Sequence, residues 1–133
     1  MKLLIVEDDI NTVEAVRLCL EIYFPNAAWE ATAQGLTALE KVREGTYDGV
    51  LVDLGLPDID GLELIERLRT FSRLPVLVVS ARHNPEVIAR ALRLGANDYI
   101  TKPYDTWNLL KTLSRLLPQE KTARKKLSPP EAG

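Results

Sequence analysis

Residues 49–61 read GVLVDLGLPDIDG. Gly49–Val52 is a short, uninterrupted apolar run, and the next residue, Asp53, is an acid. A run of this kind fits a strand covered on both faces, the situation inside a parallel sheet. Asp53 therefore stands at the carboxyl end of a buried strand.

The same pattern recurs on either side. Apolar runs occur at Lys2–Val6 (KLLIV), Ala27–Ala33 (AAWEATA), Pro75–Val79 (PVLVV) and Asn97–Thr101 (NDYIT), so five candidate strands punctuate the chain. Amphipathic segments fill the intervals. Asn11 can cap the first helix, whose apolar positions Val13, Val16, Leu20 and Tyr23 recur at helical spacing before Pro25 stops it. Leu36, Leu39 and Val42 mark a second helix closed by Gly45, and Leu62, Ile65, Leu68 and Phe71 a third. Pro85 suits a first helical turn; Val87, Ile88, Ala91, Leu92 and Leu94 follow, and Gly95 ends that helix. The last runs from about Asp105 to Leu117, with Trp107, Leu110, Leu113 and Leu117 inward. Strict alternation of strand and helix predicts an α/β sheet with right-handed crossovers.

The 133 residues amount to one domain, residues 1–118, followed by a basic tail or interdomain linker at 119–133 where the periodicity has stopped. That tail holds Lys121, Arg124, Lys125 and Lys126 against Glu120 and Glu131, a net of +2, so the total of −2 leaves −4 on the body. A mildly acidic body excludes a nucleic-acid-binding domain as it stands. No apolar run approaches the ~20 residues of a membrane span, and the opening MKLLIVEDD turns acidic at once, unlike a signal peptide. The single cysteine, Cys19, is expected to flank the core face of the first helix, and its lack of a disulfide partner fits a cytoplasmic protein.

Four of the runs end in a chemically capable residue. The first is followed by Glu7, Asp8 and Asp9, the third by Asp53, the fourth by Ser80 and the fifth by Lys102. In a parallel sheet all carboxyl ends share one edge, where ligands bind in open α/β folds. Clustered carboxylates repel one another and need a cation, and an all-oxygen donor set favours Mg²⁺. No glycine-rich phosphate loop is present, and His83, the only histidine, follows a strand end that already supplies Ser80, which argues against a Ser-His-Asp arrangement. An aspartate can itself be a nucleophile toward phosphorus while a metal and a lysine balance the phosphoryl charge. Asp53, among the acids and with Lys102 nearby, is the candidate.

Taken together, LLIVEDD, LVDLGLPDIDG, VVSAR and DYITKP closely resemble the receiver domain of bacterial two-component response regulators, over residues 2 to about 117. The resemblance implies a flavodoxin-like doubly wound sheet of strand order 2-1-3-4-5 with five helices. It implies Asp53 as phosphoacceptor, with phosphate from a sensor histidine kinase. Asp8 would be a direct Mg²⁺ ligand, Glu7 one acting through water, and Gly55 a ligand through its backbone carbonyl. Ser80 would be the switch hydroxyl, Tyr99 the aromatic that moves with it, and Lys102 the partner of the phosphoryl group, with a cis bond to Pro103. Arg82 and Gly55 would flank the phosphoryl group. The partner-binding face would comprise the fourth helix, fifth strand and fifth helix.

That face forms homodimers in many DNA-binding members, which carry an acid and an arginine on the last helix; here Asn108 and Thr112 occupy those places. The reading is thus a phosphorylation-dependent switch, either free-standing or the receiver part of a transcription regulator whose DNA-binding output lies outside this chain. An Mg²⁺-dependent aspartyl-phosphate phosphatase of the haloacid dehalogenase type would place its nucleophile after the first strand, not the third. A flavodoxin would have to hold a flavin phosphate beside three acids. Asp9 is read as starting the first helix, His83 as solvated loop, and Trp29 and Trp107 as partly exposed.

Overall fold

The computed structural model describes residues 1–117; the expected tail at 119–133 lies outside the described residues. Five strands alternate with five helices: β1 (Lys2–Val6), α1 (Ile10–Tyr23), β2 (Ala28–Thr32), α2 (Gly35–Glu44), β3 (Gly49–Val52), α3 (Gly61–Leu68), β4 (Val76–Ser80), α4 (Pro85–Leu94), β5 (Asp98–Thr101) and α5 (Thr106–Leu116). All pairings are parallel, in the order β2-β1-β3-β4-β5. The order reverses between β1 and β3, the switch point at which such sheets open a crevice.

The apolar runs are buried because each side of the central strands feeds a separate core. Leu3, Ile5, Leu51, Leu77 and Val79 face α1 and α5, whereas Leu4, Val6, Val50, Val52, Val76 and Val78 face α2, α3 and α4. This is the two-residue alternation of a strand, apolar on both faces. β2, at the edge, is half exposed and reads accordingly as a mixed run.

Several helical details differ from the sequence expectation. Asp9, not Asn11, is the N-cap of α1: its Oδ1 accepts from the Asn11 amide at 3.0 Å. Leu36 and Leu92 are 46% and 43% exposed; Val42 and Ala91 are buried as expected, and Ala38, which the spacing does not mark, is buried with them. α3 ends at Leu68, so Phe71 lies beyond it, partly buried against the second core. Cys19 sits within the first core rather than beside it. Trp29 and Trp107 are partly buried at its margin. Gly95 closes α4 at φ +122°, a conformation that a side chain would strain. No described helix is long and apolar enough to cross a membrane.

Candidate phosphoryl and metal site

Strand register carries the polar residues to one place. Val6 pairs with Val52, Val52 with Val78, and Ser80 with Thr101. The ladder continues one step further, through Asp53 N–H to the Val6 carbonyl (2.9 Å) and Lys102 N–H to the Ser80 carbonyl (2.8 Å). Glu7, Asp53, Ser80 and Lys102 therefore emerge along the same sheet edge. A second constraint comes from Gly61: a Cβ there would lie 2.4 Å from Leu54 Cα and 2.9 Å from the Asp53 carbonyl. Only glycine lets the start of α3 pass this close behind Asp53.

Glu7, Asp8 and Asp53 each offer a carboxylate oxygen, all within 4.8 Å of one another. Glu7 is buried, Asp53 is 8% exposed and Asp8 is open to solvent. The Lys102 ammonium pairs with Glu7 Oε1 and lies 3.4 Å from Asp53 Oδ2 and 3.8 Å from Asp9 Oδ2. Glu7 Oε2 is buried without a hydrogen-bond partner. A buried anionic oxygen without a donor is costly, so this atom calls for either a proton or a cation.

The electrostatics follow from the crowding. Burial, helped by the neighbouring Asp53 carboxylate, pushes Glu7 up to about 8 against the pull of Lys102. Burial also acts on Asp53, but the Glu7 carboxyl, the Gly55 amide and the Lys102 ammonium outweigh it and hold Asp53 below the usual carboxylate range. Glu7 is therefore the acid that keeps its proton near neutral pH, and Asp53 the one that ionises. Burial works against the Lys102 charge, yet Glu7 and Asp53 prevail and raise its pKa, so it stays an ammonium. An all-oxygen set with one orphaned buried oxygen fits a small hard cation such as Mg²⁺.

The remaining candidates lie around this centre. Gly55 N–H donates to Asp53 Oδ1 at 3.2 Å. Ser80 is buried, and its Oγ accepts from the Arg82 amide at 3.2 Å. Tyr99 packs against the second core and donates its hydroxyl to the Arg82 carbonyl at 2.6 Å, so Ser80 and Tyr99 meet on one residue. The Lys102–Pro103 peptide is cis, as the resemblance implied. Asp9, besides capping α1, stands at the rim; His83 is exposed, with Nδ1 3.3 Å from the Ala81 carbonyl.

Three polar contacts had no sequence signal. Arg82, in the loop after β4, pairs with Asp60, the N-cap of α3, at 3.0 Å. Asp58 binds the first amides of α2. Arg69 gathers the carbonyls of Ser72, Leu74 and Gly95. All three depend on loop geometry, which residue pattern does not encode. Thr112 on α5 is buried, and its hydroxyl donates to the Asn108 carbonyl at 2.8 Å.

Comparison with known proteins agrees with this geometry. The family model described as "response regulator receiver domain" matches residues 3–114. The transcriptional regulatory protein KdpE of Staphylococcus aureus is 43% identical over 106 residues, covering 78% of this chain and 44% of KdpE. The response regulator ArlR of Staphylococcus saprophyticus is 36% identical over 116 residues, 87% of this chain and 52% of ArlR. The chain thus spans about half the length of these curated relatives.

Among solved structures, a putative response regulator from Chloroflexus aurantiacus superposes with a TM-score of 0.77 at 30% identity, over 86% of this chain and 95% of that one. The receiver domain of a Pseudomonas aeruginosa sensor histidine kinase gives 0.75 at 25% identity over the same shares, and that structure holds a magnesium ion coordinated in its active-site cleft. With the fold order, the edge acids and a family match over nearly all described residues in agreement, this chain belongs to the response regulator receiver family.

Proposed function

We propose that the chain is a phosphorylation switch in which Asp53 accepts a phosphoryl group from a phosphohistidine of a sensor histidine kinase. The observation that carries this reading is the acid cluster: the Asp53 carboxylate beside a buried, orphaned Glu7 Oε2, with the Lys102 ammonium between Glu7 Oε1 and Asp53 Oδ2. Asp8, Asp53, the Gly55 carbonyl and, through water, Glu7 would hold Mg²⁺, which would supply charge neutralisation for the phosphoryl oxygens.

The chain's own residues do the rest. An Asp53 carboxylate oxygen attacks phosphorus, the O–P bond forms, and the P–N bond breaks with its electron pair returning to the imidazole ring. The Lys102 ammonium pairs with a phosphoryl oxygen, and the Ser80 hydroxyl donates to another. When Ser80 turns toward the phosphoryl group it leaves the Arg82 amide, the residue that also holds Tyr99. The loop between β4 and α4 then repositions, altering the face formed by α4, β5 and α5. This is a shift between two existing populations.

The relatives that carry the description "transcriptional regulatory protein" support an output in transcription, with DNA contacted by a further domain and not by this one. Homodimerisation through α4, β5 and α5 lacks the charged pair on α5, since Asn108 and Thr112 stand there. The test is labelling. With Mg²⁺ and acetyl phosphate the protein is expected to gain one acid-stable, base-labile phosphoryl group, seen by intact mass, and Asp53→Asn to gain none. Equal labelling of the variant overturns the assignment.

A further inference from the structure

The loop between β3 and α3, which carries Gly55, is fastened to a helix elsewhere in the fold. Asp58 Oδ1 accepts from the Gly35 amide and Oδ2 from the Leu36 amide, each at 2.8 Å. These are the first two residues of α2, whose own N-cap, Gln34, makes no side-chain capping bond. The opening amides of a helix need acceptors, and a carboxylate there also gains from the helix dipole. Here both come from 22 and 23 residues away.

The contact is shaped to be close. A Cβ at Gly35 would lie 3.0 Å from Ile59 Cγ1 and 3.2 Å from Leu56 Cδ1, so glycine allows the loop to lie against the helix start. At its other end the loop is closed by the Gly55–Asp60 bridge and by the Gly55 amide on Asp53 Oδ1. The anchor itself is firm, because Ala38 and Val42 of α2 are buried in the second core.

We infer that Asp58 is a positioning residue for the phosphoryl site: its grip on α2 fixes the loop, and through the loop it fixes Gly55 beside Asp53. This rests on the reading of Asp53 and Gly55 given above. Asp58 touches no reacting atom. Its effect is transmitted by restricting where the Gly55 backbone can lie, and Mg²⁺ tolerates little departure from octahedral geometry.

The experiment separates the latch from simple helix capping. Asp58→Ala removes both bonds, and Gln34→Asp in the same chain gives α2 a cap of its own. The proteins compared are Gln34→Asp and Gln34→Asp/Asp58→Ala. Two readouts are followed by NMR, namely hydrogen exchange of the Gly55 amide without metal and a titration with Mg²⁺ alone. The double variant is expected to exchange Gly55 about tenfold faster and to bind Mg²⁺ about tenfold more weakly, the size of effect seen on losing an outer-sphere partner. Asp58→Asn, which keeps one acceptor, is expected to fall between. If the double variant matches Gln34→Asp in Gly55 exchange, Asp58 is a helix cap only and the inference is overturned. If no protein in the set binds Mg²⁺, the metal reading fails, and the Gly55 exchange rate still decides whether Asp58 holds the loop.

Discussion

Glu7 and Lys102, 95 residues apart, form a pair in which the acid side chain is fully buried and the lysine side chain is 17% exposed. One oxygen of Glu7 is satisfied by Lys102 and the other by nothing. The sheet forces this arrangement, because β1 and β5 deliver both residues to one edge. It leaves the metal-free protein with a built-in conflict, which pH exposes.

Glu7 titrates near 8 in the folded chain against an ordinary 4.5. Between those values the unfolded chain has released a proton that the folded chain keeps, so folding stability falls as pH rises through the window. Unfolding by urea in the presence of a chelator is expected to show a loss of at least about 1 kcal/mol between about pH 5 and pH 8, since one pKa unit corresponds to about 1.4 kcal/mol. Glu7→Gln, neutral throughout and carrying its own N–H donor, is expected to flatten that slope. A wild-type slope that is zero or positive across this range refutes a Glu7 that keeps its proton in the folded chain.

Asp8 is exposed where Glu7 and Asp53 are buried. Solvent screens its repulsion, so Asp8→Asn is expected to raise metal-free stability by only about 0.5–1 kcal/mol. The larger effect is on metal: stabilisation by Mg²⁺, which grows as the logarithm of its concentration over the dissociation constant, is expected to be mostly lost. Thermal melts with and without Mg²⁺ measure both. An unchanged Mg²⁺ increment in the variant places the ion elsewhere.

Ser80 and Tyr99 share Arg82, one through its amide and the other through its carbonyl. Beryllofluoride with Mg²⁺, which mimics a bound phosphoryl group, is therefore expected to shift amide resonances in α4 and β5 as well as in the pocket. Tyr99→Phe removes the 2.6 Å bond at a cost of about 1 kcal/mol, and is expected to weaken the distant shifts while sparing those around Asp53. Shifts confined to the pocket in the unmodified protein refute the coupling.

How far the sequence discloses all this depends on the range of each determinant. Gly49–Val52 and Val76–Ser80 are legible because strands buried on both faces leave an unbroken apolar run. Glu7 and Lys102 are legible as partners despite their separation, since parallel strands bring every carboxyl end to the same edge. Leu36 and Leu92 mislead because helical spacing gives the direction of an apolar stripe but not its buried width. On α4 the buried residue is Ala91. The cap of α1 is ambiguous between Asp9 and Asn11 because either side chain can accept an amide, and a shift of two residues in the helix start decides. Asp58 is invisible because its partners are the opening amides of a helix more than twenty residues away, and Arg69 because most of its partners are loop carbonyls that residue pattern does not place.

Arg69 gives the last prediction. At the end of α3, its guanidinium donates to the Gly95 carbonyl (Nε 3.1 Å, Nη2 2.8 Å), to the Ser72 and Leu74 carbonyls (Nη1 3.2 and 2.8 Å) and to Asn97 Oδ1 (Nη2 3.1 Å). Asn97 Oδ1 in turn accepts from the Val76 amide, at the start of β4. One planar cation thus ties the loops before β4 and β5 together, on the sheet edge opposite the phosphoryl site. An ammonium on a flexible stem cannot span that fan of acceptors. Arg69→Lys is expected to cost about 2 kcal/mol, the scale of losing charge-assisted hydrogen bonds that are partly replaced by water. The urea midpoint is expected to fall with no change in the slope m, the mark of lost stability without a change in compactness. Mg²⁺ affinity is expected to stay at the parent value, because the carboxylates lie at the other end of the strands. A loss below about 0.5 kcal/mol, the range of ordinary surface substitutions, shows that solvent replaces Arg69 and that these loops hold without it.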